Sequence, residues 1–383
     1  MASAEGKPTD DATITAIQQQ PTEGSQQKEL AQFFTPADVA LYSAWCLLQH
    51  FADTDVVFDP SVGKGSLLIA AGVVLATEYG YRDRQLLAHL TGSEIDPATR
   101  DEAVRNVVRG LAPWLQGCPE ADAVEIVDHQ LKASDFFDCL VPDHAFVIAN
   151  PPYKEEAGRN AWLPFAERLA SEPGVAALSL IVPVSIASAK RCAPIRSHLL
   201  ERFSSIRALH HEIRPRPLFR GIEQRISIVT ATKRVASDGY RTTGFLTHRA
   251  GQRASVWTAP YVALTFSQCR RVFPKVSPED SGFFYQQTTG RPLASELGLA
   301  TDLWVRTTGR YHLVAQKERP ETVTTKWRLL TVSERVAEEI ERAFATGDAL
   351  RWWRMFGDGR DLSLSAFLSE YRVPEREGLA EAA

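Results

Sequence analysis

Residues 55–77, DVVFDPSVGKGSLLIAAGVVLAT, carry the signals that decide the fold. The run DVVFD (55–59) predicts a short buried strand, and the apolar stretch 65–77 predicts a helix. Between them, Gly63 and Gly65 let the backbone turn tightly and come close to a ligand at the helix N-terminus. The turn matches neither the phosphate loop nor the dinucleotide loop, because each needs a glycine that this sequence lacks. It predicts a strand–turn–helix unit, and alone it is as typical of a plain turn as of a binding site.

The alternation of strand and helix continues on both sides of this unit. Helices are predicted at 35–50, 65–77, 97–111, 161–170 and 186–203. Strands are predicted at 55–59, 90–95, 124–128, 145–149, 177–182, 206–210 and 225–232. In the first helix, Thr35 is the candidate N-cap and Pro36 the first helical residue. Alternating strands and helices indicate an α/β fold with a doubly wound, mostly parallel sheet, which binds ligands at the carboxyl ends of its strands.

The pattern changes after about Ala236, where Gly, Thr, Arg and aromatic residues dominate. Strands at 240–247 and 261–266 and a helix at 332–345 predict a smaller C-terminal α+β domain. The first residues are polar and show no apolar periodicity, so disorder is expected there. The predicted division is a disordered leader (1–28), a main domain (29–235), a second domain (236–373) and a frayed tail (374–383).

Composition disfavours several classes of protein. No window approaches eighteen consecutive apolar residues, so a membrane span is not predicted. The five cysteines are scattered without a C-x-x-C pair, which disfavours a disulfide framework or a thiolate zinc site. A cytoplasmic protein without a metal fits this pattern.

Charge is distributed unevenly along the chain. The net charge is −4, but the segment 207–275 contains thirteen Lys and Arg residues and only three acidic residues. A basic segment on an otherwise acidic protein predicts a surface that meets a polyanion. The alternative is an ordinary set of solvated or paired surface charges.

Acidic residues follow two further predicted strands. Glu94 ends the strand 90–95, where an acid can accept hydrogen bonds from the ribose hydroxyls of a nucleoside. Asp96, before a proline, is expected to cap the next helix. Asp135 is placed to accept a hydrogen bond from an adenine amino group, with Phe136 beside the ring. A loop acid next to a core aromatic residue is the alternative for that pair.

The segment Asn150-Pro151-Pro152-Tyr153 follows the strand 145–149 and is the most specific signal. The two prolines fix an extended loop and lack N–H groups. The Asn150 side chain and the Pro151 carbonyl are then acceptors, and the Tyr153 ring offers a flat surface. These three groups suit a planar ligand that carries an NH2 group.

This ordered set of motifs resembles the amino-group DNA methyltransferases that use S-adenosylmethionine, specifically the N6-adenine type of the gamma class. Asn150–Tyr153 is similar to the family's catalytic NPPY, and residues 59–67 are similar to its methionine-binding loop. QFFTP (32–36) resembles the motif that helps to hold the methionine end of the cofactor. The resemblance covers about residues 29–235 and implies a Rossmann-like class I methyltransferase fold.

The resemblance implies S-adenosylmethionine as cofactor, no metal, and a defined set of site residues. The implied catalytic residues are Asn150, Pro151, Pro152 and Tyr153. The implied cofactor contacts are Phe34, Thr35, Pro36, Asp59, Pro60, Gly63, Gly65, Glu94, Ile95, Asp135, Phe136 and Asn150. The implied substrate contacts are Tyr153 and Phe219 for a flipped adenine, and Arg214, Arg216, Arg220 and Arg225 for phosphates. Lys64 departs from the small residue that the family has between the two glycines, which puts cofactor affinity in question.

The implied substrate is double-stranded DNA, read by the second domain, with a cognate restriction nuclease or specificity subunit as partner. Two alternatives stay open. Protein glutamine and RNA methyltransferases also use NPPY, because a glutamine amide and the adenine N6 present similar NH2 groups. A non-catalytic DNA-binding partner with this fold is the other alternative, although an intact Asn150–Tyr153 loop argues against it.

Overall fold

The computed structural model describes residues 35–153, 155–156, 159–219, 223–236, 239–247, 257–269, 271–308, 312–357 and 363–373. The predicted leader, the predicted tail, Phe34 and Arg220 lie outside the described residues. Two compact units divide the chain. The first unit includes the residues up to Pro183, then Pro194–Arg241 and Phe245–Ala259, and the second includes Val184–Ala193, Thr242–Gly244 and the residues from Pro260 onward.

The main sheet is built from strands of three to nine residues. They are β1 (Val56–Asp59), β2 (Leu90–Glu94), β3 (Leu131–Ala133), β4 (Ala145–Ala149), β5 (Val175–Pro183), β6 (Ser205–His211), β7 (Ile226–Thr232) and β8 (Gly239–Leu246). All five residues of β4 and all nine of β5 are buried. Continuous burial of this kind is expected of parallel strands that have helices on both faces. Two further strands of two residues each, Glu155–Glu156 and Arg159–Asn160, pair with one another after β4.

The helices up to residue 202 alternate with these strands. They are α1 (Ala37–Leu47), α2 (Ser66–Glu78), α3 (Asp83–Ala88), α4 (Pro97–Leu111), α5 (Glu120–Gln130), α6 (Trp162–Ser171), α7 (Ser185–Ser188) and α8 (Ala193–Arg202). Short 3-10 turns occupy Ala112–Trp114, Phe136–Asp138 and Lys190–Cys192. Eleven consecutive residues of α2, Ser66–Ala76, are buried. A helix that is apolar on all sides lies in the interior, which explains why this segment has no polar face.

Strands β1 to β8 follow the order β3-β2-β1-β4-β5-β7-β6-β8. Strands β1 to β5 pair in parallel, whereas β7 runs antiparallel to both β5 and β6. The predicted doubly wound, mostly parallel sheet is therefore confirmed. The order reverses between β1 and β4, and ligands of such sheets bind at this switch point beyond the carboxyl ends of the strands.

Two predictions about local structure are wrong in detail. The segment 124–128 is not a strand but lies within α5, because its buried residues Ala123 and Val127 are four apart, which is helical spacing. The strand follows instead at β3. Helix α1 begins one residue later than predicted, so Pro36 is the N-cap and the Thr35 side chain does not cap the helix.

The second unit has a three-stranded antiparallel sheet in the order β11-β10-β12, with β10 (Ala300–Thr308), β11 (His312–Gln316) and β12 (Trp327–Ser333). Its other elements are β9 (Val262–Leu264), the 3-10 turns Phe266–Cys269, Pro278–Asp280 and Leu293–Ser295, the two-residue strands Arg291–Pro292 and Arg372–Val373, and helices α9 (Ser281–Thr289), α10 (Glu334–Ala345), α11 (Asp348–Phe356) and α12 (Leu364–Glu370). Helix α10 packs on β10 and β11, and Leu303 and Val305 are buried. This mixture of elements confirms the smaller α+β architecture predicted for the C-terminal part. None of the helices in the described ranges is long and apolar enough to cross a bilayer.

Candidate active site

Four predicted motifs meet at one edge of the sheet. Asp59 ends β1 and pairs with Gly92 of β2, so Glu94 lies two residues further along the neighbouring strand. Glu94 in turn pairs with Ala133 of β3, and Asp135 follows two residues later. On the other side of β1, β4 runs parallel and leads into Asn150. Because carboxyl ends of parallel strands share one edge, the acids and the Asn150 loop line the same crevice.

The glycine turn after β1 is held by Glu94. Glu94 Oε2 accepts a hydrogen bond from Gly63 N at 2.9 Å, and Oε1 accepts one from Asp96 N at 3.1 Å. Burial raises the pKa of this carboxyl above its usual range. Gly65, the N-cap of α2, has φ +91°, and a Cβ there would approach Val107 Cγ2 to 3.0 Å. A side chain at this position would be strained, so glycine is required for the turn.

The Asp59 carboxyl is fully buried, and its two oxygens differ in their hydrogen bonds. Its Oδ1 accepts a hydrogen bond from Ser61 N at 2.9 Å, while Oδ2 has no hydrogen-bond partner among the described residues. Burial, with a smaller contribution from Glu94, raises the pKa of Asp59 to about 8. A buried carboxylate oxygen without a partner costs free energy, and a cationic ligand group would satisfy it.

Lys64 does not point toward this carboxylate. Its ammonium forms an ion pair of 2.8 Å with Glu102 of α4, and its carbonyl accepts a hydrogen bond from Asn106 Nδ2 at 3.1 Å. The unusual lysine between the two glycines therefore fastens the turn to α4. Asp96 caps the same helix, as predicted, because its carboxylate accepts from the Thr99 hydroxyl and from Thr99 N at 2.9 Å. These two hydrogen bonds, the first above all, lower the pKa of Asp96.

In the predicted pair Asp135 and Phe136, the structure differs from the prediction at Phe136. Asp135 Oδ1 accepts a hydrogen bond from Phe137 N at 2.9 Å and caps a short turn. Phe136 is buried between the Phe165 ring, with centroids 5.0 Å apart, and the Arg168 guanidinium, 4.4 Å from its centroid. Because the Phe136 ring is occupied by these contacts, it is not placed to flank a ligand.

Exposed apolar surface lies next to the two acids. Ile95, directly after Glu94, is 66% exposed, and Phe137 is 44% exposed. Large apolar side chains that stay exposed beside buried acids are typical of a surface that a ligand covers. Ile95 was among the predicted contacts, whereas Phe137 was missed because the sequence does not tell which of two adjacent phenylalanines turns inward.

The Asn150 side chain is held at both ends. Asn150 Nδ2 donates to Thr35 Oγ1 at 3.1 Å, across 115 residues of sequence. Its Oδ1 lies 2.6 Å from the Tyr153 hydroxyl, which is also 2.8 Å from the Ile181 carbonyl oxygen. Burial raises the pKa of Tyr153 well above its ordinary value, so the hydroxyl keeps its proton and acts as a donor. Pro151 is buried and Pro152 is half-buried, like Pro36 near the start of α1.

The two predicted base-stacking rings are in contact with each other. Tyr153 and Phe219 meet edge to face, with centroids 6.3 Å apart and an interplanar angle of 76°. Both side chains are buried. The structure thus brings the predicted pair together, and a base would stack between them only after the rings separate, because a stacked base needs parallel faces.

The basic segment does not form one surface. Arg225 is 7% exposed and pairs with Glu212 at 2.7 Å, and Arg234 pairs with the buried Asp55. The buried Lys275 donates to the Gly357 carbonyl at 2.9 Å. The prediction of Arg225 as a phosphate contact is wrong, since an internal carboxylate holds its guanidinium.

Arg214 and Arg216 are the exposed members of the predicted phosphate set within the described residues. Arg214 approaches Glu223 at 3.5 Å, but both side chains are more than two-thirds exposed. A pair of this kind contributes little to stability. The sequence could not distinguish the exposed Arg214 from the buried Arg225. Both carry one positive charge, and the sequence does not show which residues pair with them.

Residues 21–176 match the family N-6 DNA Methylase. These residues are similar to an N-6 DNA methylase domain. The match spans β1 to β4 and ends inside β5, so the carboxyl edge with Asp59, Glu94, Asp135 and Asn150 lies within the matched residues. Ile181 and Phe219 lie beyond the matched residues.

Several solved structures resemble this chain over more than half of its length. One is the methyltransferase subunit of a type I restriction-modification system from Streptococcus thermophilus, with 16% identity, 63% of this chain and 58% of that chain covered, and a TM-score of 0.41. Another is the M protein of the type I restriction enzyme EcoKI, with 15% identity, 87% and 67% coverage and a TM-score of 0.42. A third is a nuclease-deletion mutant of the Type ISP enzyme LlaGI in complex with a DNA substrate mimic, with 12% identity, 72% and 29% coverage and a TM-score of 0.44.

The chain spans 58% of the Streptococcus thermophilus subunit and 29% of LlaGI, so it matches only part of the length of these proteins. No match to this chain is found among curated proteins.

Proposed function

We propose that this chain is an adenine-specific DNA methyltransferase that transfers a methyl group from S-adenosylmethionine to the exocyclic N6 of a flipped adenine. The observation that carries the proposal is the juxtaposition of the Asn150–Tyr153 loop with the unsatisfied carboxylate of Asp59 at one sheet edge. The Asn150–Tyr153 loop suits an NH2 group, and the Asp59 carboxylate suits a cationic cofactor. The family match over both features supports adenine in DNA as the substrate.

The residues at this edge fit S-adenosylmethionine. Asp59 Oδ2, for which the described part of the chain supplies no hydrogen-bond partner, would accept from the cationic amino group of the methionine end. Glu94 would bind the ribose hydroxyls through the acceptor capacity left beyond its hydrogen bonds from backbone N–H groups. Ile95 and Phe137 would cover the adenine ring, and Asp135 would accept from its amino group. The bound cofactor would supply a sulfonium-activated methyl group.

The chain's own task is to orient the target amino group. The N6 lone pair is delocalised into the adenine ring, so the nitrogen is a poor nucleophile. Acceptors at Asn150 Oδ1 and the Pro151 carbonyl would hold the two N6 hydrogens and favour a tetrahedral nitrogen as the methyl group arrives. Tyr153 is not a general base here, because its buried hydroxyl keeps its proton. Catalysis of this kind depends mainly on alignment of the reacting atoms.

The target base must leave the DNA stack to reach the Asn150 loop. Tyr153 would stack on the extruded adenine after its ring separates from Phe219. Arg214 and Arg216, which are exposed before Phe219 in sequence, would contact backbone phosphates near the extruded nucleotide. Sequence recognition by residues 236–373, and a restriction nuclease or specificity subunit as partner, belong to the same proposal.

The test is transfer of labelled methyl groups from S-adenosylmethionine to plasmid DNA, followed by sequencing of the modified adenines. Asn150→Ala is expected to abolish transfer while binding of S-adenosylmethionine stays within about threefold of wild type, because the amide faces the target amino group. Transfer to a release-factor protein or to RNA instead of DNA would overturn the assignment of substrate.

The non-catalytic alternative has a separate outcome in the same experiment. A chain that binds DNA but shows no heat of binding with S-adenosylmethionine in calorimetry would be a partner protein, and the enzymatic proposal would be wrong. Glu102→Gln is the control variant for the measurement of cofactor binding. It removes the ion pair of Lys64 without touching the carboxylates that face the crevice.

A further inference from the structure

A short turn after β3 carries two side chains of the proposed cofactor site. The turn is the 3-10 segment Phe136–Asp138. Asp135, directly before it, would accept from the adenine amino group, and the exposed Phe137 would cover the adenine ring. Both contacts depend on the course of these few residues, so the groups that hold the turn also decide how the base of the cofactor is recognised.

Hydrogen bonds inside the turn close a single 3-10 loop. Phe137 N donates to Asp135 Oδ1 at 2.9 Å. Asp138 N donates to the Asp135 carbonyl and Cys139 N to the Phe136 carbonyl, each at 3.1 Å. A single turn of this kind is only weakly stable by itself, because its hydrogen-bond geometry is poor and it fixes several dihedral angles for few bonds. Contacts from another element are therefore needed to hold it in one conformation.

Arg168, on helix α6, supplies such contacts. One terminal nitrogen of its guanidinium donates to the Phe136 carbonyl, and the other, Nη2, donates to the Cys139 carbonyl at 2.5 Å. The guanidinium also lies 4.4 Å from the centroid of the Phe136 ring. Phe165, three residues earlier on the same face of α6, stacks on that ring and meets Phe137 edge to face. Because the Arg168 side chain is only 24% exposed, its hydrogen bonds to the turn are partly shielded from water.

Arg100, on α4, makes a similar contact at the other end of β3. Its Nε and Nη2 donate to the Leu131 carbonyl at 3.0 and 2.8 Å. Leu131 is the first residue of β3, whereas the turn held by Arg168 lies beyond the last residue, Ala133. Ligands of a parallel sheet bind beyond the carboxyl ends of its strands. Of the two arginines, Arg168 is therefore the one that holds a segment at the ligand edge.

We propose that Arg168 is a positioning residue that sets the base specificity of the cofactor site. By holding the carbonyls of Phe136 and Cys139, it fixes the turn and with it the Asp135 carboxylate, which then meets a base that carries an amino group. The inference rests on the proposed function, because it assigns the residue that fixes the adenine contacts of that reaction. Sequence analysis did not single out Arg168, since nothing in the sequence shows that an arginine of α6 reaches the turn after β3.

The variants follow from the shape of the guanidinium. A guanidinium is a planar fork that can donate to two carbonyls at once, whereas an ammonium is a compact point charge on a flexible stem. Arg168→Lys keeps the charge and loses the fork, so the turn loses one of its two held carbonyls. Arg168→Gln is neutral and also reaches at most one carbonyl, so the same loss is expected. Arg100→Lys is the matched control, because it removes the same kind of fork at the opposite end of β3.

The test compares two non-reactive ligands, S-adenosylhomocysteine and S-inosylhomocysteine, by calorimetry. The inosyl ligand has an oxo group in place of the amino group and so presents an acceptor to the Asp135 carboxylate. Wild-type protein is expected to prefer the adenosyl ligand by about tenfold or more, the effect of one charge-assisted hydrogen bond. In Arg168→Lys and Arg168→Gln this preference is expected to fall to about twofold, through weaker binding of the adenosyl ligand. Arg100→Lys is expected to keep the wild-type preference.

A role of Arg168 in stability alone gives a different pattern. Its variants would then weaken both ligands equally and keep the preference, which would overturn the inference, and so would an equal loss of preference in Arg100→Lys. In an Asp135→Asn background, Arg168→Lys is expected to change the preference no further, because its effect acts through that carboxylate. Circular dichroism confirms that each variant is folded at the temperature of the measurement. Wild-type protein that binds both ligands equally would refute the role of Asp135 and this inference with it.

Hydrogen exchange followed by mass spectrometry tests the turn without any ligand. In Arg168→Lys the amides of Asp138 and Cys139 are expected to exchange about fivefold faster than in wild type, whereas in Arg100→Lys they keep the wild-type rate. Unchanged exchange in Arg168→Lys would overturn the inference, even if wild-type protein methylates DNA. Faster exchange in a protein that binds no S-adenosylmethionine would support the contact between Arg168 and the turn and would overturn the proposed function.

Discussion

Strand β1 carries an aspartate at each end, and the two have opposite surroundings. Asp55 precedes the strand and Asp59 ends it, and both are fully buried. The Asp55 carboxylate accepts from Ala52 N at 2.8 Å and pairs with Arg234, so both of its oxygens have partners. Asp59 has one backbone partner, and its second oxygen has no partner in the ranges that the structure describes. The comparison teaches that a buried acid stabilises a fold only when the fold itself supplies its partners.

The same contrast recurs between Glu212 and Glu94. Glu212 is buried and forms an ion pair with Arg225. Glu94 is buried at the ligand edge, and its oxygens accept only backbone N–H groups among the described residues that contact it. Acids with internal cations are structural parts of the first unit, and acids without them face the crevice where the ligand is proposed to bind.

The largest expected effect is on stability, from breaking the most buried ion pair. Arg225→Met removes the cation that pairs with the buried Glu212, and the free energy of unfolding should fall by about 3–5 kcal/mol. Denaturant unfolding followed by circular dichroism measures the loss. The double variant Arg225→Met/Glu212→Leu should recover much of it, since an apolar pair of similar volume replaces the charges. A single variant as stable as wild type would remove Arg225 from the structural group.

Asp59→Asn should affect binding and spare the fold. The amide keeps an acceptor for Ser61 N but loses the charge, so the affinity for S-adenosylmethionine should fall by about 2–3 kcal/mol, the strength of a charge-assisted hydrogen bond. Isothermal calorimetry measures this change, with circular dichroism to confirm folding. If affinity is unchanged, the unsatisfied oxygen is not the cation site.

The Asp59 carboxyl should also impose a pH dependence on stability. Its pKa in the folded protein is about 8, above the ordinary value of 3.8, so the folded state binds this proton more tightly than the unfolded state. The stabilisation is complete below pH 4 and is lost as the pH rises toward 8. Relative to wild type, Asp59→Asn should therefore gain about 3–4 kcal/mol between pH 5 and pH 8, because each pH unit below the folded pKa changes the stability by about 1.4 kcal/mol. A constant difference between the two proteins across this range would contradict the assignment.

Asp55→Asn should give the opposite result to Asp59→Asn. Loss of the ion pair with Arg234 should lower the free energy of unfolding by about 1–2 kcal/mol, a modest figure because the arginine is one-third exposed. The affinity for S-adenosylmethionine should stay within about twofold of wild type. Melting temperature and calorimetry on the two variants, in one buffer, make the comparison direct. Equal effects of the two substitutions on both quantities would show that the ends of β1 do not differ in role.

The smallest effect on stability is expected from the exposed arginines. Arg214→Ala/Arg216→Ala should change the free energy of unfolding by less than about 0.5 kcal/mol. Each lost phosphate contact should reduce the slope of log affinity for duplex DNA against log salt by about 0.9. Titrations at several salt concentrations give the slope. An unchanged slope would show that these two side chains do not contact phosphates.

The sequence predicted the elements that depend on local pattern. Pro97–Leu111 and Ala145–Ala149 were predicted at their observed bounds, because a capped N-terminus and a short apolar run are local signals. The segment 124–128 was mispredicted, since a short segment with only three apolar residues, Val124, Ile126 and Val127, fits a strand and a helix equally well. The three-stranded sheet of the second unit was missed, because its strands are half-exposed and only weakly apolar.

By itself, the sequence determined the order of the motifs and the edge of the sheet at which they meet, because parallel strands joined by helices place every strand's carboxyl end on one side. It did not determine which charges find partners. Asp55 and Asp59 have the same side chain and burial, and Arg214 and Arg225 lie in one basic segment, yet their roles differ. Only the tertiary structure decided this, because the partner of a buried charge lies up to 179 residues away, as Arg234 does from Asp55.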